Sequence, residues 1–166
     1  MTDIDPLITA HADAARRHRQ RAHEYVRDAA AAVARADGCP TLHGAVDATC
    51  ATHAWLRRAA KRADAAAKSA SDLAMLTDER STTGASDAAS ALARALANEA
   101  ADVGRAVDEA ELVFSSLHLY AGSGAAGADD SAHQADEAAR LIHNLAATIA
   151  ALPCTEAPLD PSSPTP

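Results

Sequence analysis

Aromatic side chains are nearly missing from this chain: its 166 residues hold one Trp, one Phe and two Tyr. That scarcity excludes a core built on large rings and leaves few platforms on which nucleic-acid bases would stack. Cysteine is equally sparse. Cys39, Cys50 and Cys154 are odd in number and irregularly spaced, so they read as neither a disulfide framework nor a zinc knuckle. No apolar run approaches the ~20 residues that cross a bilayer. The acidic start, Met1-Thr2-Asp3-Ile4-Asp5-Pro6, lacks the layout of a signal peptide. A cytoplasmic protein without a membrane span is expected. No segment alternates β-branched and aromatic residues as a strand would. Gly122, Gly124 and Gly127 follow a helical pattern and no strand, so a phosphate-cradling loop is not expected either.

What the chain has in quantity is alanine, which dominates a 48% hydrophobic content. Alanine is the strongest intrinsic helix former because it loses no side-chain entropy in the helix. It fills a core poorly, since one methyl buries little area. The composition therefore predicts long helices that approach one another closely around a thin core, in a single domain.

Helix boundaries follow from caps and breakers. The first helix is expected over about 6–36, opened by Pro6 with Asp3 or Asp5 as cap and closed by Asp37-Gly38-Cys39-Pro40. Thr41 caps a second helix running over 41–76, and the polar stretch 77–84 is read as a connection. Ser86 caps a third helix over 86–120. After the Gly/Ala stretch 121–127, Asp129, Asp130 or Ser131 caps a fourth over 130–152. The Pro/Ser-rich segment 153–166 reads as a disordered tail.

Steps of four and three pick out one stripe per helix. Helix 1 gives Ile4, Ile8, His11, Ala15, His18, Ala22, Tyr25, Ala29 and Ala32. Helix 2 gives Leu42, Val46, Thr49, His53, Leu56, Ala60, Ala63, Ala67 and Ala70. In helix 3 the line is Leu92, Leu96, Glu99, Val103, Ala106, Ala110, Val113, Leu117 and Tyr120. In helix 4 it is Ala135, Ala138, Ile142, Leu145, Ile149 and Leu152. Short connections between such helices force antiparallel neighbours, so an all-α, up-down-up-down four-helix bundle with alanine-rich seams is expected. Its fourth helix is short, which leaves the end near the second connection three-stranded, with an exposed groove.

Three polar features are candidates for function. Net charge is −8, and it is split unevenly: residues 1–76 carry 11 basic and 9 acidic groups, residues 77–166 carry 4 and 14. Matching levels across the first turn sets Arg16, Arg17, Arg19 and Arg21 beside Arg57, Arg58, Lys61 and Arg62. This belt would bind an anion: nucleic acid, an acidic protein or a phosphate-bearing ligand. The competing and favoured reading, since charge runs on helices are usually solvated faces, is internal balance against Glu99, Asp102 and other acids of helices 3 and 4. Acidity and the lack of aromatics also disfavour nucleic acid as a partner.

Histidines form the second feature. Level-matching sets His53 near His23 and Tyr25, and near Asp108 and Glu109 of helix 3, with His143 at a similar height. Imidazoles and carboxylates from facing helices are how bundles bind transition metals, as in ferritin- or hemerythrin-type logic. No Glu-x-x-His pair repeats on two helices. Asp130 and His133 have a ligand-like step, but Asp at a helix start is more simply a cap. Cys50 lies three residues before His53, within reach of a thiolate–imidazole contact; burial as an inert thiol is the more ordinary expectation.

The third feature is Arg16 or Arg17, then His23, Glu24 and Tyr25. This run resembles the Arg-x4-6-His element, sometimes extended as His-x-Tyr, of the HEPN helical-bundle ribonucleases and toxins. The resemblance implies that Arg and His act at an RNA phosphodiester, usually across a dimer. It covers this run alone, lies in the first helix instead of a late one, and lacks the polar residue expected after the Arg, where His18 stands.

Taken together, the sequence favours a non-enzymatic bundle acting through protein–protein or self-association, and assigns it no resident cofactor. A His/carboxylate metal site is the alternative, and HEPN-type RNA cleavage a second.

Overall fold

The computed structural model describes residues 6–39, 41–79, 83–122 and 128–153, with the side chains of residue 83 and residues 128–131 excepted. Every regular element among them is a helix: α1 Pro6–Asp37, α2 Leu42–Glu79, α3 Thr83–Gly122 and α4 Ala128–Ala150. They pack as a four-helix bundle. None of the four is long and apolar enough to cross a membrane. The expected caps Asp3 and Asp5, the stripe residue Ile4, and the expected tail from Cys154 onward lie outside the described residues.

Local chemistry sets the ends. α1 stops where the Cys39 amide donates to the Ala36 carbonyl. Thr41 then caps α2, its Oγ1 accepting from the Gly44 amide at 3.2 Å. The turn is tight: a Cβ on Gly44 would stand 3.2 Å from both Cys39 Sγ and Thr41 Oγ1.

Two boundaries differ from expectation. The stretch 77–84 is mostly helix, since α2 continues to Glu79 and α3 begins at Thr83. Thr77 is buried, and its hydroxyl donates to the carbonyls of Leu73 and Ala74, which satisfies it inside the helix. Ser86 accordingly lies within α3 and bonds Asp78 across the turn. Likewise α4 begins at Ala128, ahead of the expected caps Asp129, Asp130 and Ser131.

The stripes of α3 and α4 are buried almost as expected. Leu96, Glu99, Val103, Ala106, Ala110, Val113 and Leu117 form one line, and Ala138, Ile142, Leu145, Ile149 and Leu152 the other. Leu92 and Ala135, at the outer ends, are exposed. On α2 the buried line instead runs through Ala45, Thr49, Thr52, Leu56, Ala59, Ala63, Ala66 and Ala70. Val46, His53, Ala60 and Ala67 fall at its half-buried edge. α2 packs extensively on both α1 and α3, so its buried face is wider than a single stripe.

Contacts fix the register. His11 faces Asp72, His18 faces Arg62 and Tyr25 stacks on Trp55, so α1 and α2 run in opposite directions. The main core joins all four helices from Val26 to Leu152. Below it, one small cluster joins Ala22, Ala63 and Ala100, and another joins Ala15, Ala66, Ala70 and Leu96. Neither includes a residue of α4. The bundle is therefore four-stranded at one end and three-stranded at the other, and the small side chains of the lower clusters let α2 pack closely against both α1 and α3.

Candidate functional site

Of the eight belt cations, Arg19 alone pairs with an acid of the second hairpin among the described residues. Its Nε donates to Glu99 of α3, at 3.0 Å to Oε2 and 3.4 Å to Oε1. Arg16 pairs with Asp13 and Arg21 with Glu24, each within α1. The Glu24 hydrogen bond raises the Arg21 pKa, holding that guanidinium charged. Arg58 lies over the Trp55 ring at 4.6 Å, and Arg62 approaches His18 Nδ1 at 3.4 Å. Arg17, Arg57 and Lys61 are exposed and form no ion pair among the described residues.

The acids of the second hairpin are equally self-contained. Asp102 pairs with Arg105 and Glu137 with Arg140, each three residues apart in one helix. Asp108, Glu109 and Glu111 form no ion pair among the described residues. The internal balance expected from the sequence thus reduces to one carboxylate, Glu99.

That carboxylate is the centre of the most organised polar cluster. Glu99 is 6% exposed and sits in the hydrophobic stripe of α3. Beside Arg19, it receives His23 Nε2 at 2.7 Å on Oε1. A carboxylate only accepts, so the ring nitrogen facing it carries the proton. Arg19 and His23 are four residues apart on α1, hence on one face, and both reach the same oxygen. Position decides the arrangement. α4 ends at Ala150, Leu152 is the last buried residue of its stripe, and Glu99 lies at the level of the three-helix clusters, between their members Leu96 and Ala100. Arg19 keeps 40% and His23 22% of their side chains exposed.

The structure separates several of the remaining candidates. His23 turns to Glu99. His53 is half-buried, and its Nε2 is enclosed with no hydrogen-bond partner among the described residues. His143 and Asp108 are exposed, and Glu109 is partly so. Among the described residues, no three His, Cys, Asp or Glu side chains gather as metal ligands would. Cys50 is exposed, contrary to expectation, because Thr49 and Thr52 take the core-facing positions beside it. Of the run that resembles the HEPN element, Arg16 is 78% exposed and tied to Asp13, while His23 is held with Arg19.

Two features carry no clear sequence signal. A cavity of about 150 Å³ lies between the α1–α2 turn and α4, lined by Ala36, Asp37, Cys39, Leu42 and Ile142 among others. Leu112 and Leu119, seven residues apart on α3, are 65% and 70% exposed. The helical wheel would have shown the leucine pair as outside the stripe. The cavity depends on how the fourth helix is seated. The chain matches no family model, no curated protein and no solved structure.

Proposed function

We propose that this protein is a non-enzymatic helical bundle that acts by self-association, the basic α1–α2 hairpin of one copy meeting the acidic α3–α4 hairpin of another. The observation that carries this reading is the nearly unspent charge between the hairpins: one belt cation reaches across, through Glu99. The belt's exposed Arg17, Arg57 and Lys61, and Asp108, Glu109 and Glu111, all without an ion pair among the described residues, are left to meet opposite charge elsewhere. Leu112 and Leu119 stand on the same hairpin as those acids and add apolar contact area at heptad spacing. Such a contact joins two different surfaces, so it is heterologous, or antiparallel if each hairpin contributes both. In the cytoplasm, at physiological salt, exposed charges of this kind act over about 8 Å, which makes the association reversible and salt-sensitive.

Sedimentation velocity across a salt series tests it. An oligomer that dissociates as salt rises is expected, and Arg57→Glu with Lys61→Glu weakens it about tenfold or more. A species that stays monomeric at high concentration and low salt overturns the reading.

A further inference from the structure

Glu99 uses only part of what Arg19 and His23 offer. Both bonds from α1 end on the carboxylate through one nitrogen each, Nε of the guanidinium and Nε2 of the ring. The two terminal nitrogens of Arg19 and Nδ1 of His23 make no hydrogen bond among the described residues, and both side chains reach solvent. A buried carboxylate thus holds a guanidinium and an imidazole side by side, each side chain partly open to solvent. The carboxylate fixes the rotamers of two side chains that would otherwise sample many, so a ligand meets donors already in place.

We propose that Arg19 and His23, positioned by Glu99, form a binding site for a phosphate group, either free phosphate or the end of a small phosphate monoester. The geometry selects this chemistry in two ways. The terminal nitrogens of a guanidinium form a fork that takes two oxygens of one oxyanion. A tetrahedral phosphate then has a third oxygen for His23 Nδ1, which a planar carboxylate does not. Nδ1 serves in either protonation state: its lone pair accepts from a P–OH, and the protonated ring donates to P–O⁻. The exposed cations Arg16, Arg17 and Arg62 of the same hairpin raise the local anion concentration. The site stands on Glu99 and its partners and does not depend on self-association.

The test is titration of the full chain, at a salt concentration giving a single sedimenting species, with inorganic phosphate, methyl phosphate and acetate. Binding is followed by NMR of the His23 imidazole and the Arg19 Nε–H. Saturable shifts of both groups by phosphate or methyl phosphate, with about millimolar affinity, are expected, and acetate binds about tenfold more weakly. The better of the two phosphates identifies the free or esterified source. Arg19→Lys keeps the charge and loses the fork, and it weakens binding about tenfold; Arg17→Lys, outside the cluster, leaves affinity unchanged. The site is disproved if neither phosphate shifts the two groups, or if Arg17→Lys weakens binding as much as Arg19→Lys. His23→Gln provides a second reading that leaves the guanidinium on Glu99, and unchanged affinity in that variant removes the imidazole from the site.

Discussion

Arg19 on α1 and Glu99 on α3 lie 80 residues apart in sequence and meet through Nε and the carboxylate, on the diagonal of the bundle just below the end of α4. The pair is lopsided: the carboxylate side chain is 7% exposed, the guanidinium 40%. Burial of the acid is the costly half, because a carboxylate out of water must recover its hydration from fixed donors. The bond also joins two helices that otherwise touch little, since α2 packs against both and lies between them in the chain.

That asymmetry gives a stability prediction. Removing the buried charge leaves Arg19 and His23 free to reach water, so Glu99→Gln destabilises by only about 1 kcal/mol. Removing its partners strands the charge: Arg19→Met with His23→Phe costs about 3 kcal/mol or more. Urea unfolding of the three proteins measures both, and equal losses would mean that Glu99 is better hydrated than its exposure indicates.

The alanine seams predict that more hydrophobic is not more stable here. Ala29 and Ala59 are fully buried in the main core. Ala59→Leu adds apolar surface but forces helices apart, and costs about 1–3 kcal/mol. Leu56→Ala, at a fully buried site, costs about 2–5 kcal/mol by opening a cavity. Thermal melts of both variants check the pair. Stabilisation by Ala59→Leu would show that the seam has room to spare.

Glu137 and Arg140 predict a small acid effect of definite sign. The Arg140 hydrogen bond holds the Glu137 carboxyl below its ordinary range. A group lowered on folding contributes above its unfolded value and loses that contribution as pH falls through the folded one. Arg140 is exposed and Glu137 partly so, and water screens much of the pair. Glu137→Gln therefore lowers the urea midpoint slightly at pH 7 and not at all below the carboxylate range. A difference that persists in acid would assign the effect to helix propensity and not to charge.

How far the sequence reaches is clearest in α3 and α4. Each packs through one stripe, and steps of four and three name nearly all their buried residues, Glu99 among them. α2 is less legible because two partners widen its buried face. Thr52 and Ala59 enter the core while His53 and Ala60 drop to its edge. Cys50 turns outward for the same reason. The polar stretch 77–84 resembles a loop by composition, yet a hydroxyl that bonds its own helix lets Thr77 stay buried.

Alanine content, Thr41, the breaker at residues 38–40, the Gly/Ala stretch 121–127 and Pro153 are local facts, and they determine the helical class, the antiparallel first pair and the shortness of the fourth helix. Helix propensity and chain stiffness act within a few residues, so they need no knowledge of the rest. Which carboxylate Arg19 and His23 would find was decided only in three dimensions. It depends on the relative rotation and height of α1 and α3, set by the clusters of Ala22, Ala63 and Ala100 and of Ala15, Ala66, Ala70 and Leu96. Close packing of small side chains fixes such offsets to a fraction of a turn, and one helical step would have paired Glu99 with different residues.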